Sequence, residues 1–170
     1  IFSNNLSKFK IIIYFSIIIS SGFIFRYIFF PFEIPLILDS LGYFWYGIDL
    51  SVNGKFPTEH DLPNNLWPSL LSIFFNISNS EDFLDYMVIQ RNISIIFSVC
   101  TSIPIYFLAK KFIRKEFALI APLFFIFEPR IIENSLAGIT EPFFIFMVVS
   151  SLALFFSKQK KLILLSFVLS

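Results

Sequence analysis

The sequence predicts an all-α polytopic membrane helix bundle, on three observations: more apolar surface than a soluble chain can bury, apolar runs long enough to cross a bilayer, and a one-sided placement of cations. Of the 170 residues, 56% are hydrophobic, 20% aromatic and only 15% charged. Soluble domains carry about 25% charged residues. A water-soluble fold of this size has no room to hide 26 phenylalanines together with its isoleucines.

A membrane helix needs about 20 mostly apolar residues. Residues 11–30 meet that need. Residues 93–109 form a second candidate, extended upstream by a helix starting near Ser80. Shorter runs at 117–127 and 143–156 predict a third and a fourth span, joined through 128–141 with no obvious break, and a fifth begins at Leu162. The expectation is a bundle of about four to five spans. The chain begins at Ile1 and stops inside an apolar run, so residues 1–170 read as one transmembrane module, the N-terminal part of a longer protein. The lone Cys100 rules out an intrachain disulfide.

If every span crosses, Lys8, Lys10, Lys110, Lys111, Arg114, Lys115, Lys158, Lys160 and Lys161 fall on one side, which the positive-inside rule makes cytoplasmic. Of the twelve acids only Glu116 joins them. The expected protein is integral to the cell membrane, with a cytoplasmic N-terminus and a large first external loop over 31–90. In that loop Leu41, Phe44, Trp45, Ile48 and Val52 recur at helical spacing, and Gly54 ends the pattern. This predicts an interfacial helix, with Trp and Tyr at headgroup depth. A second helix is expected from Asn64 or Asn65, burying Leu66, Leu70, Leu71, Phe74 and Phe75. Ser80, followed by Glu81 and Asp82, marks the next helix start.

Among candidate functional residues Asp39 comes first. It stands between Leu36-Ile37-Leu38 and the first interfacial helix, held at the acyl boundary and partly out of water, where a carboxylate is costly without a task. The competing role for Asp39, or for Ser40, is to cap the helix at Leu41. Arg26, Arg91 and Arg130 sit near outer membrane boundaries against the positive-inside trend. A guanidinium fork matches phosphate oxygens, so the three are candidates for a lipid phosphate, with snorkelling or a local pair such as Arg130 with Glu128 or Glu133 as the alternative. The segment 128–142 packs Glu128, Glu133 and Glu141 around Arg130, and Glu141 before Pro142 also suits a helix cap. His60 has no second histidine at ligand spacing. Asn76-Ile77-Ser78 and Asn92-Ile93-Ser94 match the glycosylation sequon.

The layout resembles the N-terminal module of the GT-C glycosyltransferases, the multispan enzymes that include protein O-mannosyltransferases and aminoarabinose transferases. The resemblance rests on the first apolar run, on Asp39 within Leu36-Ile37-Leu38-Asp39-Ser40-Leu41-Gly42-Tyr43, on two juxtamembrane helices, and on Pro129-Arg130 through Glu141-Pro142-Phe143-Phe144. It implies transfer of a sugar from a polyprenyl-phosphate donor to a protein, glycan or lipid acceptor outside the cytoplasm, with Asp39 catalytic and Tyr43, Glu128, Glu141 and the three arginines near the substrate. A nucleic-acid partner is not expected. A divalent metal is compatible with the class, although Ser40 stands where a paired Asp-Glu would continue and no Asp-x-Asp motif is present. The chemistry also follows from residue types: a carboxylate to deprotonate an acceptor hydroxyl and cations to stabilise a departing phosphate. The rival is a transporter or flippase, which would want ionisable groups at mid-span and broken helices. A non-catalytic membrane subunit is a further alternative. On the topology expected here, a cysteine placed at Asn53 reacts with an impermeant thiol reagent in intact cells; labelling only after permeabilisation would reverse the orientation.

Overall fold

The computed structural model describes residues 2–31, 33–57, 65–78, 80, 82–157 and 159–169. The described elements are helical: α1 (Phe2–Ile28), α2 (Leu38–Asn53), α3 (Leu66–Ile77), α4 (Phe83–Cys100), α5 (Ser102–Ala109), a 3-10 turn (Phe117–Leu119), α6 (Ile120–Ile126), α7 (Pro129–Ala137), α8 (Glu141–Phe155) and α9 (Lys160–Leu169).

Two helices are long and apolar enough to cross a membrane: α1 over Phe9–Ile28, and α4 with α5 as one run, Phe83–Ala109. Only 11% of the apolar stretch of α1 is buried. Ile12, Ile17, Ile24 and Ile28 stand more than half exposed on it, a surface that water would strongly disfavour. The third and fourth expected spans fare differently. The run Phe117–Ile126 measures about 15 Å, half the ~30 Å hydrocarbon core. Helix α8, with 15 residues, reaches about 22 Å. Neither crosses as a single helix. Nor is the path between them unbroken: the Glu128 carboxylate caps α7, and Gly138, at φ +74°, ends it.

Helices α2 and α3 pack as a pair. A Cβ on Gly47 would lie 3.0 Å from the Phe75 ring and 3.2 Å from Leu71 Cβ, so a larger residue would push the two helices apart by a few tenths of an ångström. Phe44, Trp67, Leu71, Phe75, Met87 and Phe143 form the core of this half of the molecule. A second cluster of Ile18, Phe30, Ile95, Val99 and Ile126 joins α1, α4 and α6. The first interfacial helix ends as expected at Gly54, in the left-handed region at φ +63°. Helix α3 follows Asn65, but it buries Trp67, Pro68, Leu71, Ser72 and Phe75, while Leu66 and Phe74 face outward. Asp82 is the N-cap of α4 and accepts from Leu84 N.

Gly54 and Gly138 share a left-handed backbone but not surroundings. A Cβ on Gly138 would meet Leu36 Cδ2 at 3.2 Å and Arg91 Cγ at 3.3 Å, whereas none of the protein lies within 4 Å of one on Gly54. Gly54→Ala should cost about 1–2 kcal/mol, the left-handed penalty alone. Gly138→Ala should lower the thermal midpoint in detergent clearly further. Equal losses would mean that the turn at Gly138 is not packed as described.

Candidate functional site

Asp39 lies in the first turn of α2, with Ile37 in the N-cap position. Its carboxylate is exposed and makes no hydrogen bond or ion pair among the described residues. Ser40 does not cap either: its hydroxyl donates to Ile37 O at 2.6 Å. The capping role considered for both residues is therefore not what they do. The apolar neighbours of Asp39, Ile37 and Leu38, point outward, at 66% and 85% exposure, and do not cover the carboxylate within the protein.

The backbone before Asp39 is strained. Leu38 has φ +53° and is the non-glycine residue with positive φ among the described residues. That conformation costs an L-residue roughly 1–2 kcal/mol and persists only where neighbours enforce it. The enforcing contacts are visible. Leu36 is buried, and its N–H donates to Met87 Sδ at 3.4 Å. Arg91 donates to the carbonyls of Pro31 (3.1 Å), Ile34 (2.6 Å) and Pro35 (3.2 Å).

Tyr43 lies one turn beyond Asp39 and is buried. Burial pushes its phenol above the ordinary range, and the charges of Glu141 and Asp39 add to the effect. The hydroxyl therefore stays protonated at neutral pH and keeps its proton to donate. Glu141 is exposed in the first turn of α8, after Thr140 in the N-cap position. Gln90 of α4 brings the two helix starts together. Its Nε2 donates to Ser40 O at 2.9 Å and to Gly138 O at 2.8 Å. Ser94 adds a bond from its hydroxyl to Ile139 O at 3.2 Å. As a candidate cluster, Asp39 and Glu141 stand near two helix starts that Gln90 ties to α4, and the charges of both reach Tyr43.

Two of the three arginines are spent inside the protein. Arg26 is fully buried and donates to Ser135 Oγ, Gly22 O, Ile126 O and Ser98 Oγ at 2.9–3.1 Å. Arg91, 4% exposed, adds Leu136 O at 3.0 Å to its three loop carbonyls. Neither guanidinium reaches the surface, so neither meets a lipid phosphate; this corrects the expectation from sequence. Backbone carbonyls left open where the chain breaks take the place of a phosphate. Arg130 differs. It is exposed on the first turn of α7, with no carboxylate partner among the described residues. Glu128, exposed, accepts from Ile131 N at 2.7 Å and caps α7.

Among the described residues no three His, Cys, Asp or Glu side chains gather as a metal would require, so no step is derived through one. His60 lies outside the described residues. Sequence reasoning missed Gln90 and the polar face of α4. The signal was there: Gln90, Arg91, Ser94 and Ser98 recur at helical spacing in an otherwise apolar run. In the sequon at Asn92 the side chain is engaged within the protein: Asn92 Oδ1 accepts from the Tyr27 hydroxyl at 2.6 Å, and Ser94 is buried.

Comparison with protein-family models, with curated proteins and with solved structures finds no match to this chain.

The arginines separate by stability. Each carbonyl orphaned by Arg26→Ala or Arg91→Ala costs about 1–3 kcal/mol, so both variants should lose most of the folded yield in detergent. Arg130→Ala should match the parent protein. A stable Arg91→Ala protein would contradict the hydrogen-bond assignment.

Proposed function

We propose that the chain is the N-terminal helical module of a polytopic membrane glycosyltransferase, which moves a sugar from a polyprenyl-phosphate donor to an acceptor on the non-cytoplasmic side. One observation carries the reading: the uncommitted Asp39 carboxylate stands on a strained turn, and its charge and that of Glu141 both reach the Tyr43 phenol. In this reading the first apolar helix and the α4–α5 run cross the membrane, and the shorter helices complete about four to five passes by bending at Glu128 and Gly138. The cationic segments face the cytoplasm, and α2, α3 and the cluster lie outside.

Asp39 accepts the proton of the acceptor hydroxyl as its oxygen attacks the anomeric carbon. The bond from that carbon to the donor phosphate breaks, and the lipid phosphate leaves with the electron pair. Arg130 is the exposed guanidinium available to bind the phosphate. Tyr43 and Glu141 orient the acceptor by hydrogen bonding. A transporter is the competing reading, favoured by broken helices and by an arginine deep in the bundle. Against it, both buried guanidinia are engaged by protein acceptors and have no route to a cargo.

Asp39→Asn keeps the shape of the side chain and removes the base. Transfer from a polyprenyl-phosphate donor by the full-length protein should fall by about 10²–10⁴-fold, with membrane insertion unchanged. Arg130→Ala should raise the KM for the lipid donor. Normal insertion with parent-level transfer in Asp39→Asn would move the catalytic assignment to Glu141 or Glu133.

A further inference from the structure

At the opposite end of the bundle from Asp39, helices α5, α8 and α9 enclose a cavity of about 510 Å³, within the size range of small-ligand sites. Phe107, Ala153, Leu154 and Leu162 give it apolar walls, and Lys111 and Ser157 stand among its lining. The third wall is fixed by a bond from the Ser151 hydroxyl to Ser166 O at 2.8 Å.

The cations around this end are not equivalent. Arg114 and Lys115 share the Glu116 carboxylate at 3.9 and 3.8 Å. Lys110 lies over the Tyr106 and Phe107 rings, 5.4 and 4.6 Å from their centroids. Lys111 has neither a carboxylate nor a ring among the described residues, and it is the one that lines the cavity. An ammonium without a partner beside an apolar recess fits an amphiphile: apolar chain inside, negative head at the rim.

We propose that this cavity binds an anionic phospholipid, with an acyl chain between α5, α8 and α9 and the phosphate against Lys111. The proposal rests on the chain being membrane-embedded and is independent of sugar transfer.

The test is electron spin resonance of the chain in phosphatidylcholine vesicles carrying spin-labelled phosphatidylglycerol or spin-labelled phosphatidylcholine. The motionally restricted fraction should prefer phosphatidylglycerol about fivefold, the scale of one lysine at an anionic surface. Lys111→Ala should bring the preference close to unity, whereas Lys110→Ala should retain most of it. Ala153→Phe fills the cavity and should reduce the restricted fraction of both lipids; Ser157→Phe, at its edge, is the second variant should the first fail to insert. Asp39→Asn should keep the full preference, which separates this site from the catalytic reading. Preference unchanged in Lys111→Ala, or no restricted lipid around the parent chain because protein covers the cavity, would overturn the proposal.

Discussion

Backbone carbonyls stranded where the helices break are the constraint on which this fold turns. Chain breaks before α2, between α6 and α7, and at Gly138 leave peptide oxygens without helical partners. Gln90, Arg91 and Ser94 on α4 answer with donors to Pro31, Ile34, Pro35, Leu136, Gly138 and Ile139, and Arg26 takes Ile126; Gln90 and Arg26 also donate to Ser40 and Gly22 within α2 and α1. Charge-assisted bonds offset much of the cost of burying each guanidinium. Helix α4 is the post to which the irregular chain is tied, and the meeting of the α2 and α8 N-termini follows from that tie.

Local signals made much of this legible. The apolar first helix, the helical spacing through Val52 and the stop at Gly54 each need only a few neighbouring residues, and each is found where the sequence puts it, whereas the helix start expected at Ser80 moves on to an N-cap at Asp82. What escaped depends on distant partners. The buried face of α3 is set by the notch at Gly47, so Trp67 turns inward in place of Leu66. Arginines at an outer boundary look like phosphate ligands until acceptors 45 to 109 positions away are brought beside them. The break at Gly138 was hidden because Leu136 and Ile139 continue an apolar pattern across it.

The candidate site was half legible for the same reason. Asp39 is conspicuous by composition, and Glu141 by its place before Pro142. Their proximity was not readable, since it is produced by an amide on a third helix. Tyr43 is the residue that registers both carboxylates. The strain at Leu38 had no sequence signal at all: Leu is a poor occupant of the left-handed region, and the residues that hold the preceding loop, Met87 and Arg91, come from a distant helix.

The engagement of Arg26 also has a consequence for biogenesis. Its acceptors Ile126 and Ser135 lie 100 and 109 positions further along the chain. At translation rates of about 5–20 residues per second they emerge some 5–20 s after the arginine itself. Through that interval Arg26 has at most Gly22 O and Ser98 Oγ of its four acceptors. Helix α1 therefore reaches its final hydrogen bonding only when α6 and α7 arrive, and the order of assembly is written in the spacing between a charge and its acceptors.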